Sequence, residues 1–172
     1  MRTFFVCILA CVALSACSKP AAKPVELKRY PINNLEGVIT RSSVELDSGV
    51  SSDGKGSLKI TAAGPTDVPL FETGGVDAED GVLTYKARVR AEGVVGKVYL
   101  EMWCSFGAKG EFFSRGLNTA LTGSTGWTTQ QTQFFLKAGE NPDNVKLNIV
   151  IDGRGTVWVD DVELLKERRP GG

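Results

Sequence analysis

Two alternating segments carry side chains suited to recognition chemistry. In GVLTYKARVR (81–90), Thr84, Lys86, Arg88 and Arg90 share one face; in GKVYLEMWCSF (96–106), Tyr99, Glu101, Trp103 and Ser105 share one, because successive side chains of a strand point to opposite faces. Leu83, Tyr85, Ala87 and Val89, and Val98, Leu100, Met102, Cys104 and Phe106, supply the apolar faces. With EGVVG (92–96) as the turn between them, the two polar faces are expected to lie side by side in one sheet. A flat ring can stack on the apolar side of a polyhydroxylated ring, while a carboxylate and fork-shaped cations bind its hydroxyls. Lys146 and Asn148 of NVKLNIVI would extend this face if their strand joins the same sheet. The structural alternative is that Lys86 or Arg88 simply pairs with Glu101 across the strands, with Trp103 covered by the N-terminal segment.

Catalytic arrangements fare poorly. The chain has no histidine, which removes Ser-His and Cys-His arrangements and the common zinc sites. Cys104 sits on an apolar face as a buried thiol, and no spacing singles out a pair of carboxylates for glycoside hydrolysis. Gly49 to Lys55 fits the glycine and lysine positions of a phosphate loop. Gly56 then stands where Ser or Thr is required, and a strand follows where a helix is needed, so the segment reads as a turn. GRG at 153–155 reads as a tight turn before the last strand. A non-catalytic protein is expected.

GTVWVDDVELL (155–165) changes parity midway: Val157 and Val159 belong to one set, Val162 and Leu164 to the other. One extra residue restores the core face, so a β-bulge is expected at Asp160 and Asp161. Carboxylates at a bulge beside the core must bind a cation or accept hydrogen bonds from backbone N–H, Arg or Lys.

Around these sites the hydrophobic period is two almost everywhere, with Gly, Pro, Asn, Asp and Ser turns between short segments, as in an antiparallel sandwich or barrel. Trp127 and Trp158 read as structural; Phe112 and Phe113 are consecutive, so at least one should be buried. The N-terminus has a single cation, Arg2, then an uncharged run from Phe4 to Leu14, then LSAC. The run is short for a membrane span and right for a signal peptide. LSAC resembles the lipobox of bacterial lipoproteins, which makes Cys17 the lipidated N-terminal residue, and Ser18 after it favours the outer membrane. Expected boundaries are a signal peptide at 1–16, a lipidated tether at 17–29, a sandwich at 30–166 and a frayed tail at 167–172. Lys and Arg total 20, as do Asp and Glu, a balance that argues against nucleic acid as partner.

GTVWVDDVELL, preceded by GWTTQQTQFFL and NVKLNIVIDG, together with NNLEG and DGKGSLKI near the start, resembles the jelly-roll carbohydrate-binding modules. The resemblance implies an antiparallel two-sheet jelly-roll β-sandwich that binds a glycan on a sheet face, with Tyr99, Glu101, Trp103, Lys86 and Arg88 as candidate contacts. It also implies a structural calcium ion held by Glu36, a carbonyl near Gly54 or Lys55, and Asp160. Two other roles stay open: an envelope assembly protein using the sandwich to dock a protein partner, and an accessory subunit whose catalytic partner is encoded elsewhere.

Overall fold

A computed structural model describes residues 23–169. Cys17 and the signal peptide lie outside the described residues. The described residues form eight strands: β1 (Val25–Tyr30), β2 (Val44–Asp47), β3 (Ser57–Ala62), β4 (Thr66–Gly74), β5 (Gly81–Ser105), β6 (Glu111–Arg115), β7 (Leu121–Phe135) and β8 (Asn144–Arg168). All pairings are antiparallel, and the only helical elements among the described residues are 3₁₀ turns at Gly107–Lys109 and Leu117–Thr119. The expected all-β sandwich is present. Its first strand starts at Val25, inside the segment expected as tether, and pairs with Val162 to Lys166 of β8.

Strands β5 and β8, each 25 residues long, pair with one another from Gly81↔Arg168 to Ser105↔Asn144. Straight, such a strand would reach roughly 80 Å, far beyond a domain of this size, whose radius of gyration is about 15 Å. The ladder therefore folds back on itself. Tyr30, paired with Val162 late in β8, stacks on Phe71, paired with Leu147 early in β8, with ring centroids 4.2 Å apart. Phe134 beside Leu83 likewise meets Phe106, just past the end of β5, at 6.1 Å. The first layer consists of β1, β2, β3, the early part of β5, most of β7 and the late part of β8. The second consists of β4, β6, the late part of β5 and the early part of β8.

The crease falls where Gly96 pairs with Gly153. A Cβ on Gly153 (φ 149) would stand 1.9 Å from the Val95 carbonyl oxygen, and one on Gly96 (φ 107) 2.0 Å from that of Asp152. Only glycine admits backbones this close. EGVVG and GRG are thus not turns between separate strands, as expected from sequence, but the two halves of a fold line inside continuous strands. Between the layers lies one core, including Leu83, Tyr85, Val89, Leu100, Met102, Cys104, Leu147, Ile149, Val157, Val159, Val162 and Leu164.

The bulge is where the parity change places it. Lys86 pairs with Glu163 and Arg88 with Asp160, so β8 holds one residue more than β5 across this step, and Asp161 takes a positive φ of 49°. The extra residue returns Val162 and Leu164 to the core side, both fully buried. A Gly153→Ala substitution should lower unfolding free energy by more than about 3 kcal/mol in denaturant titration. Gly126→Ala, with open space around its Cβ, should stay within about 0.5 kcal/mol.

Candidate functional site

The fold divides the residues that the sequence grouped together. Lys86 and Arg88 lie on the outer face of the first layer. The Lys86 ammonium is 2.5 Å from the buried Glu163 carboxylate, which also accepts from Arg29, and Arg88 donates to Thr129 Oγ1 and the Trp127 carbonyl at 3.1 and 3.0 Å. Tyr99, Glu101 and Trp103 lie on the outer face of the second layer. The expected juxtaposition fails because the two halves of β5 never pair with each other; each pairs with its own half of β8.

The second-layer face is built in rows. Trp103 sits between Phe113 of β6 and Lys146 of β8, and Glu101 between Arg115 and Asn148. Pro69 follows Asn148, and Asp67 follows Val150 beside Tyr99. Lys146 and Asn148 therefore do extend the face. Asp67, Glu111, Phe113 and Arg115 join it without having been picked out. The alternation E-F-F-S-R puts Glu111, Phe113 and Arg115 on one side of β6, which was the available signal.

Glu101 is 1% exposed although it lies on an outward face. Its two oxygens accept from Trp103 Nε1 at 2.6 Å and from Arg115 Nε at 2.5 Å. The carboxylate thereby fixes the indole, whose ring lies 4.9 Å from Phe113, while the Arg115 guanidinium covers Phe113 at 4.5 Å. Glu111 accepts from Ser105 Oγ and Lys146 Nζ, and these bonds hold its carboxyl below the usual range. Asp67 goes the other way: burial chiefly, then the neighbouring Glu101, push its carboxyl up, against the pull of Arg115 and Asn148. Asn148 is 4% exposed and its Oδ1 accepts no hydrogen bond among the described residues. Beside it, Tyr99, Asp67, Val150 and Asp152 line a shallow depression.

Phe112 and Phe113 are 51% and 49% exposed, so neither is buried as expected. β6 is an edge strand at the margin of both faces: Phe113 packs outward on Trp103, and Phe112 packs edge-on to Phe106 at 6.0 Å, at the open end of the sandwich.

The calcium ligand set does not fit this geometry. Asp160 Oδ2 accepts from Ser52 N–H and Oγ, both at 2.8 Å, and from Ser51 Oγ at 3.4 Å; Oδ1 accepts from Asp161 N–H at 2.8 Å. These donors satisfy the buried carboxylate by tying the loop after β2 to the bulge. Glu36 is exposed, its N–H held by Asn34 Oδ1. Among the described residues no three Asp, Glu or Cys side chains converge. Ser51 Oγ accepts N–H bonds from Gly54 and Lys55, so the phosphate-loop look-alike is a side-chain-pinned turn. Trp158 is buried, donates to Asp47 at 2.9 Å and lies beneath Arg90. Burial pushes the Cys104 thiol up to about 12, as suits an inert core residue.

The Asp67 shift gives a signed expectation. A carboxyl raised on folding favours the folded state at low pH, and that contribution is lost as pH rises through the folded value. Asp67→Asn should therefore raise Tm at pH 7 and leave it unchanged near pH 3, read by calorimetry. An equal shift at both pH values would contradict this.

No protein-family model and no curated protein matches the chain. Solved structures do. The CBM22-1 xylan-binding domain of Xyn10C from Paenibacillus barcinonensis superposes with a TM-score of 0.64 at 15% identity, covering 87% of this chain and 100% of that one. The CBM22-1–GH10 modules of Clostridium thermocellum endo-1,4-β-D-xylanase 10B, complexed with xylohexaose, give 0.61 at 14% identity over 84% of this chain and 29% of that one. A family 16 carbohydrate-binding module gives 0.55 at 12% over 76% and 91%. Likeness at such identities is one of fold: the chain has the β-sandwich architecture of carbohydrate-binding modules.

Proposed function

We propose that this protein is a non-catalytic glycan-binding module and that the outer face of its second layer is the binding surface. The observation that carries the reading is the buried Glu101 carboxylate, which holds the half-buried Trp103 indole and the Arg115 guanidinium in place on an outward face beside Phe113. Trp103 and Phe113 offer rings for stacking on a sugar. Arg115, Lys146 and Glu111 supply charged hydrogen-bonding groups around the rings. Of the five residues expected to contact sugar, Tyr99, Glu101 and Trp103 belong to this surface. Lys86 and Arg88 lie on the other outer face, beside Glu163 and Thr129.

A face this polar suits a hydroxylated ligand better than a protein partner, which a broad exposed apolar patch would mark. The xylan-binding and xylohexaose-bound neighbours make xylan the first polysaccharide to try. Lipidation at Cys17 and outer-membrane placement, read from LSACS, would display the module on the cell envelope.

Electrophoretic retardation of the full chain in gels containing xylan or another neutral polysaccharide tests the site. Trp103→Ala should weaken retardation by about tenfold or more, the scale of a lost binding hot spot, and should also lower Tm, because it takes a donor from the buried Glu101 carboxylate, while circular dichroism still reports a folded sandwich. Trp127→Ala, on the other layer, should bind as wild type. Undiminished retardation of Trp103→Ala would remove this face from consideration.

A further inference from the structure

One end of the sandwich is left open. Phe106, Phe112 and Phe134, with Lys109 and Glu140, line an apolar cavity of about 220 Å³ there. Phe112 is 51% exposed at its rim. This is also the end where β1 begins: Val25 pairs with Lys166, Lys166 with Leu83, and Leu83 with Phe134, placing Val25 and Phe134 in one row across the first layer. Three strand spacings make that row about 14 Å wide. Val25, and Phe135 one step further along β7, are each 59% exposed. Half-open phenylalanines and an exposed valine thus gather at the end from which the chain leads back to Cys17.

The intervening chain limits what can face that end. Between Cys17 and Val25 there are seven residues, Ser18 to Pro24, and even a fully extended backbone of that length spans no more than about 30 Å. A lipidated Cys17 lies at the bilayer surface, so Val25 would be within that distance of the lipid headgroups. The crease end, with Val95, lies a full strand half further away.

Resting on the lipid-anchor reading, we infer that the Phe106–Phe112–Phe134 end is a membrane-docking surface that seats in the headgroup region of the anchoring bilayer. Phe112 enters the interface, and the cavity behind it receives an acyl or glycerol segment. Lys109 suits the rim, because its stem packs on apolar atoms while its ammonium stays among phosphates. Docking turns a swinging tether into a defined posture: the strands stand along the membrane normal, and the face with Trp103 looks sideways along the surface, clear of the lipid.

The test uses the full chain in its lipidated form, reconstituted into vesicles of phosphatidylethanolamine and phosphatidylglycerol that contain a headgroup-region nitroxide lipid. Lys109→Cys and Val95→Cys variants each carry a nitrobenzoxadiazole label; Cys104 is buried and the wild-type chain is the labelling blank. Incorporation of a fatty-acid analogue, lost in Cys17→Ser, is measured in parallel. The label at 109 should shift to the blue and be quenched by the nitroxide, and the label at 95 should not. Adding Phe112→Ser should reduce quenching at 109 by at least about twofold, since Phe112 supplies the exposed ring that enters the interface. Failure of incorporation would overturn the anchor reading and the docking surface with it. Incorporation with equal, unquenched labels would overturn the docking surface alone. A blue shift at 109 that grows with protein density without nitroxide quenching would assign this end to a second copy of the chain, also overturning it.

Discussion

Everything in this molecule follows from two long strands being hydrogen-bonded to each other along their whole length. A β5–β8 ladder of 25 residues a side cannot remain extended in a domain this small. It must crease, and it creases where glycine faces glycine, at Gly96 and Gly153. Each strand then supplies both layers, so the core is closed by the backbone that also connects its two walls. The cost is positional. Residues ten apart on β5 end up on opposite outer surfaces, and any site on one surface has to recruit neighbours from β4, β6 and β8.

The two outer faces use their acids differently. On the first layer, Asp160 is surrounded by donors from Ser51, Ser52 and Asp161, and Asp47 by Gly49, Val50 and Trp158. Those carboxylates fasten the loop after β2 to the bulge. On the second layer, Glu101 is equally buried, but its partners Trp103 and Arg115 reach the surface with their rings and guanidinium partly free. Removing either partner would leave a buried charge underpaired, which costs several kcal/mol. The same bond that stabilises the face thus immobilises its recognition elements, reducing the ordering cost that binding would otherwise carry. Asn148 lies next to that fixed pair.

Much of the fold was legible. Period-two alternation indicated strands, the parity change at 160–161 gave the bulge to the residue, and Cys104 lay on the side that proved to be core. Tyr99, Glu101 and Trp103 lie on one outward face as their spacing implied. The crease was not legible, because EGVVG and GRG read as turns when each is taken alone. Only the pairing of Gly96 with Gly153 reveals a fold line, and pairing of segments more than fifty residues apart is a tertiary fact. Lys86 and Arg88 fall on the opposite outer face as a consequence. Phe112 and Phe113 showed the limit of the alternation rule: at an edge strand beside an open end, neither face has a wall to be buried against.

The proposed recognition site lies around Trp103, with Asn148 beside it. The chain has only three tryptophans, and they sit in distinct places: Trp103 on the second-layer face, Trp127 on β7 and Trp158 under Arg90. An NMR titration with a neutral oligosaccharide can therefore read the site directly from the indole N–H signals and the Asn148 side-chain amide. Trp103 and Asn148 should shift together and saturate together while Trp127 and Trp158 stay in place. Shifts confined to Trp127 or Trp158, with Trp103 and Asn148 unmoved, would place binding elsewhere.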